Sequence, residues 1–189
     1  KGSKLEKIGL RAFYGSGITS IIIPDSVTYI DSYAFARNAL TSIEIPGNVM
    51  SIGYNAFKEN DRLSHIVIKN KKTIIDAGVF SGCATKSLKI GQNLRSMVFS
   101  DNKKLITVTL EEGVTSIAYG AFRGCENLEN IIFEEESNLT IIGNYSFSNC
   151  NNLETIELPH QLKEISSHSF EGCNKLKSII IKIILFIFK

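Results

Sequence analysis

An isoleucine or leucine followed five residues later by phenylalanine recurs eight times along this chain of 189 residues. The pairs are Ile8/Phe13, Ile30/Phe35, Ile52/Phe57, Ile75/Phe80, Leu94/Phe99, Ile117/Phe122, Ile142/Phe147 and Ile165/Phe170. Successive phenylalanines lie 22, 22, 23, 19, 23, 25 and 23 residues apart. A period of this length means stacked repeats, because one coil cannot bury its own apolar side and needs a neighbour above and below. Residues 1–189 are therefore read as a single solenoid, a stretch of a longer array, with residues 182–189 as an atypical apolar end.

A second signature, apolar-x-x-apolar-x-apolar, begins five or six residues after each phenylalanine. It reads Ile18-Ile21-Ile23, Leu40-Ile43-Ile45, Leu63-Ile66-Ile68, a weak Thr85-Leu88-Ile90, Leu105-Val108-Leu110, Leu128-Ile131-Phe133, Leu153-Ile156-Leu158 and Leu176-Ile179-Ile181. Its last two positions alternate apolar-x-apolar with β-branched side chains, the pattern of a short half-buried strand. Pro24, Pro46 and Pro159 close three of these strands, where a missing N–H costs no ladder bond. Stacked at about 4.8 Å, eight such strands form a parallel sheet roughly 35–40 Å long.

Two coils break the pattern. From Ile90 to Leu94 is four residues where the standard step is seven, and Glu134–Asn138 adds two residues further on. Such changes are absorbed in turns that face water.

The stretch LTSIEIPGNVMSIGYNAFKEN, Leu40 to Asn60, resembles the BspA-like class of leucine-rich repeats, whose motif runs roughly L-x-x-I-x-I-P-x-x-V-x-x-I-g-x-x-A-F-x-x-C. Alanine precedes phenylalanine at Ala12, Ala34, Ala56 and Ala121, and Val79, Val98, Ser146 and Ser169 replace it. Leu5, Val27, Val49, Val114, Leu139 and Leu162 fill the valine slot; Lys72 and Gly91 do not, so the fourth and fifth coils are expected to be the least regular. The resemblance implies a right-handed leucine-rich-repeat solenoid, mainly β with short helical or irregular turns, one parallel sheet and about eight coils of 22–23 residues. It also implies a non-catalytic, protein-binding protein at the cell surface or secreted, adhering to host surface or matrix protein or to other cells, as in mucosal bacteria and parasitic protists. An intracellular scaffold or sensor built from the same repeats is the alternative.

Reactive chemistry finds little support. Cys83, Cys125, Cys150 and Cys173 each lie three residues after a repeat phenylalanine, a column shared with Ser16, Asn38, Asn60 and Asn102. A small side chain able to satisfy backbone groups is wanted at this bend, and free cysteine serves as a small buried one. Zinc sites want short C-x2-C pairs, whereas these cysteines are 42, 25 and 23 residues apart. Stacked coils bring Cys125, Cys150 and Cys173 near one another, but parallel side chains suit the disulfide dihedral poorly, so four free thiols are expected. His65, His160 and His168 share no column, and no hydrolase, zincin or phosphate-loop motif is present. No cofactor, metal or catalytic residue is expected. The net charge of +2 does not point to nucleic acid or an anionic membrane. Asn138-Leu139-Thr140 and Asn144-Tyr145-Ser146 are sequons that matter only in a secreted chain.

Alternate strand residues face opposite ways. One outward column is Ser20, Ser42, His65, Ser87, Thr107, Asn130, Thr155 and Ser178; the other is Ile22, Glu44, Val67, Lys89, Thr109, Ile132, Glu157 and Ile180. The second sets apolar β-branched residues in a polar frame, so this face is the candidate surface for a protein partner. Isoleucine and valine are also simply good strand residues. The final apolar run, about ten residues and too short to span a bilayer, places Leu185 and Phe188 in the valine and isoleucine slots of a ninth coil. It is a candidate for self-association.

Overall fold

The computed structural model describes residues 2–70 and 72–182. The end segment carrying Leu185 and Phe188 lies outside the described residues. The rest is a parallel β-solenoid of 14 short strands, with no helix among the described residues. In chain order they are β1 (Lys7–Ile8), β2 (Tyr29–Ile30), β3 (Ser42–Ile45), β4 (Ser51–Ile52), β5 (His65–Ile68), β6 (Ile74–Ile75) and β7 (Ser87–Ile90). They continue as β8 (Thr107–Leu110), β9 (Ser116–Ile117), β10 (Asn130–Phe133), β11 (Ile141–Ile142), β12 (Thr155–Leu158), β13 (Glu164–Ile165) and β14 (Ser178–Ile181).

The four-residue strands are the expected sheet. β3 pairs with β5, β7 with β8, β8 with β10 and β12 with β14, all parallel and in the register that puts one coil's repeat position on the next. The strand expected over Ser20–Ile23 does not form; that segment lies at the end of the stack. Of the helical or irregular turns expected, the irregular kind is found among the described residues. The structure also adds a second ladder. The two-residue strands pair as β1-β2-β4-β6 and as β9-β11-β13 on a separate side of each coil.

A third side carries the phenylalanines. Each Phe N–H from Phe13 to Phe147 donates to the carbonyl one residue before the next coil's phenylalanine, at 2.8–3.0 Å. Phe13, Phe35, Phe57, Phe80, Phe99, Phe122, Phe147 and Phe170 stack in one column, with centroids 5.2–5.9 Å apart and planes within 16°. The turn that aims each ring inward uses two left-handed residues, two before and two after the phenylalanine. The pairs are Arg11/Gly15, Tyr33/Arg37, Asn55/Glu59, Gly78/Gly82, Met97/Asp101, Gly120/Gly124, Tyr145/Asn149 and His168/Gly172, with φ between 54° and 73°. For a side chain other than glycine this conformation costs about 1–2 kcal/mol, offset here by the buried ring and the continuous hydrogen-bond column.

The fourth and fifth coils are the least regular, as Lys72 and Gly91 in the valine slot imply. β5 and β7 do not pair, and Leu94 bridges forward to Ile117 but not back to Ile75. The missing three residues between Ile90 and Leu94 are the cause. A coil with a shorter perimeter cannot stack on its predecessor at all three sides. It keeps the phenylalanine side, where Gly78 and Phe80 N–H donate to Ser96 and Val98 at 3.0 and 2.9 Å, and gives up the other two.

Candidate protein-binding surface

The outward columns fall where alternation puts them. Ser42, Glu44, His65, Asn130, Thr155 and Glu157 are exposed, and Val67, Thr107 and Thr109 are half-buried. Ile132 is 48% exposed and Ile22 is 92% exposed. Ser20 is also exposed, on the segment that forms no strand. The register joins Ser42 to His65 and Glu44 to Val67 in one block, Thr107 to Asn130 and Thr109 to Ile132 in a second, and Thr155 and Glu157 to Ser178 and Ile180 in a third. Ion pairs brace the blocks: Lys69–Glu44 at 2.6 Å, Lys89 to both Glu111 and Glu134 at 3.2 Å, and Lys182–Glu157 at 3.6 Å. Exposed pairs of this kind add little stability but hold the polar frame in place.

The face is divided. Between β5 and β7 a cavity of about 290 Å³ opens, lined by Ile66, Ile68, Ile75, Leu88, Ile90, Leu94 and Phe99, with Lys89, Gly91, Gln92 and Glu111 also on its wall. Ile66, Ile68 and Leu88 are half-buried, whereas the same strand positions at Ile43, Ile45 and Val108 are fully buried. The sequence carried a signal for this opening in the short step and the two empty valine slots.

Sequence columns missed a second surface. Tyr14, Tyr33 and Tyr54 form an edge-to-face ladder at 6.4 and 5.5 Å, with Arg11 over Tyr14 and Tyr33 and Arg37 over Tyr14. Tyr119 meets Tyr145 edge to face at 5.7 Å, His168 stacks flat on Tyr145 at 4.8 Å, and Arg123 lies over Tyr145. These tyrosines occupy three different slots relative to the phenylalanine, so aligning coils does not reveal that they touch.

The cysteines do the work of asparagine. Asn38, Asn60 and Asn102 Nδ2 donate to the carbonyls of Phe13, Phe35 and Phe80, each in the preceding coil, at 2.7–2.9 Å. Cys83, Cys125, Cys150 and Cys173 Sγ donate to the equivalent carbonyls of Phe57, Phe99, Phe122 and Phe147 at 3.1–3.5 Å. All four thiols are unpaired. Burial pushes the Cys83 thiol up to about 12 against an ordinary 9.0, and a hydrogen bond from the Asn60 backbone opposes the shift. Burial raises Cys125, Cys150 and Cys173 too. The folded chain thus holds these protons more tightly than the unfolded chain, so their contribution to stability is complete below about pH 9 and is lost as pH climbs toward 12. At pH 8 a thiol reagent is expected to leave Cys83, Cys125 and Cys150 unmodified in the native chain, and to count four thiols in denaturant. A denatured count below four would mean a disulfide.

Among the described residues no group of three or more His, Cys, Asp or Glu is placed to hold a metal ion, and no helix is long and apolar enough to cross a membrane.

Comparison with solved structures gives a leucine-rich cell surface protein from Faecalibacterium prausnitzii, 23% identical with a TM-score of 0.62 over 95% of this chain and 58% of that one. It also gives the pneumococcal vaccine antigen PcpA, 21% identical with a TM-score of 0.50 over 95% of this chain and 60% of that one. The chain thus spans about three fifths of the length of either structure. At this identity the likeness is one of fold. No curated protein matches the sequence. The profile of the BspA type leucine-rich repeat region matches six copies over residues 2–102 and 92–187. Together with the motif, the phenylalanine column and the parallel stacking, that match shows that the chain belongs to the BspA-type leucine-rich-repeat family.

Proposed function

We propose that the chain is a non-catalytic module of a cell-surface or secreted protein, and that the outward face of its four-residue strands binds a host surface or matrix protein. The observation that carries this reading is the placement of Ile22 and Ile132, 92% and 48% exposed, within a frame of serine, threonine, asparagine and paired charges. The β8–β10 ladder holds Ile132 beside Thr109 at fixed spacing, which leaves little conformational entropy to lose on binding. The F. prausnitzii neighbour, described as a cell surface protein, supports the location.

The test replaces Ile22 and Ile132 together with glutamate and measures capture of the chain on immobilised matrix-protein extract. Both side chains are exposed and outside the core, so the variant is expected to keep the parent's melting midpoint and to lose at least tenfold in affinity, a change of about 1.4 kcal/mol. Equal capture by the folded variant would remove the face from consideration.

A further inference from the structure

The sheet is interrupted between hydrogen-bonded blocks at two places, and they differ. β10 and β12 still run close together. Between β5 and β7 no Cα of one strand lies within 8 Å of a Cα of the other. Paired strands are about 4.8 Å apart, so strands that flank a third are separated by about twice that. The separation of β5 and β7 thus exceeds that of any paired strands, and neither has a backbone partner across the opening.

Its edges are held by the rest of the solenoid. At one end Ala84 N–H donates to the Leu63 carbonyl at 2.9 Å, and at the other Gly78 N–H donates to the Ser96 carbonyl at 3.0 Å. Phe80 and Phe99 remain stacked at 5.6 Å beneath it. Both walls are strand edges, and no backbone hydrogen bond joins β5 to β7. Half of each strand's N–H and C=O groups point into the gap, and such an edge is a template for another strand. The floor is apolar at alternate wall positions: Ile66 and Ile68 on β5, Leu88 and Ile90 on β7.

From this geometry we infer that the fissure takes an extended segment of a partner polypeptide, with apolar side chains at every second residue, added as a strand against β5 or β7. An acyl chain would fill the floor but would leave the backbone groups of both walls without partners, at a cost for every one that it shields from water. A peptide strand satisfies floor and walls together. The inference rests on the reading of the chain as a protein-binding module, but not on which outward side chains make contact.

The probe is a fluorescein-labelled peptide with the chain's own strand sequence, LTSIEIPG, matching residues 40–47. The control peptide has both isoleucines changed to serine. The probe is expected to bind the intact chain, the control at least tenfold more weakly. Saturation with the probe is expected to slow amide exchange in β5 and β7 by about tenfold or more. Ile68→Asp and Leu88→Asp, at half-buried wall positions, are each expected to weaken probe binding about tenfold or more, while the Ile22/Ile132 glutamate variant, altered on neither wall, binds the probe as the parent does. Should either aspartate variant lose its cooperative melt, the exchange pattern of the parent chain decides. Protection confined to the β14 edge, unchanged binding by folded Ile68→Asp, or protection of β5 and β7 by dodecanoate but not by the probe would each overturn the inference. Probe binding that survives loss of matrix capture in the glutamate variant separates this site from the outward face.

Discussion

Phe122→Ala is expected to destabilise the chain by about 3–5 kcal/mol, while Phe13→Ala costs only about 1 kcal/mol. Phe122 is fully buried and stacks on Phe99 at 5.9 Å and on Phe147 at 5.4 Å. Truncation removes a ring with neighbours on both faces and leaves a void that flanking coils cannot fill, because their backbones are pinned by the ladder through Phe122 N–H and the Ser146 carbonyl. Phe13 has one stacking neighbour, Phe35, and is 37% exposed. In a solenoid, stability is close to a sum over coils and their interfaces, so a residue with two interfaces counts for about twice one with a single interface, and burial widens the ratio. Urea unfolding of the two variants, followed by far-UV circular dichroism, gives the difference. Equal losses would mean that the phenylalanines do not form the continuous column.

The second large effect concerns the bend. Asn60 is fully buried; its Nδ2 donates to the Phe35 and Phe57 carbonyls at 2.9 and 2.8 Å, and its Oδ1 accepts from Leu40 N–H at 3.3 Å. Asn60→Leu orphans the Leu40 N–H in the core and strips one donor from each carbonyl, leaving Asn38 Nδ2 on Phe35 at 2.9 Å and Cys83 Sγ on Phe57 at 3.5 Å; the expected cost is about 3 kcal/mol, about 1–3 for the orphaned N–H and about 1 for each lost hydrogen bond. Asn60→Cys keeps a donor for the Phe35 carbonyl, as Cys83 does for Phe57, and is expected to lose about half as much. The same chemical denaturation checks both. If cysteine proved as damaging as leucine, the asparagine and cysteine coils would not be using one column for one purpose. Asn102 shows where the column is strained: its Oδ1 is buried and accepts no hydrogen bond, and it sits in the coil that the short step distorts.

Much of this was legible from residue spacing. The 22–23-residue period, the apolar-x-apolar strands and the asparagine–cysteine column are readable because each repeats often enough to average out local exceptions. The outward residues from Ser42 to Glu157 could be assigned because side-chain alternation is fixed by strand geometry. Other features have no such signature. The second ladder uses two residues per coil, too few for alternation to register. The left-handed pairs beside each phenylalanine are occupied by arginine, tyrosine, methionine and histidine as well as glycine, so composition does not mark them. The short step after Ile90 was visible, but a deletion can be absorbed by a tighter loop or by a displaced strand. Only packing decides: here the stacked phenylalanines hold their side of the coil, and β7 moves away from β5.

Residue-resolved hydrogen exchange on the unliganded chain tests that division most directly. The structure predicts that β8, paired on both sides by β7 and β10, is protected along its length, and that in β5 and β7 the amides facing the fissure exchange at least about tenfold faster. Uniform protection of β5, β7 and β8 would show a continuous sheet and contradict the account.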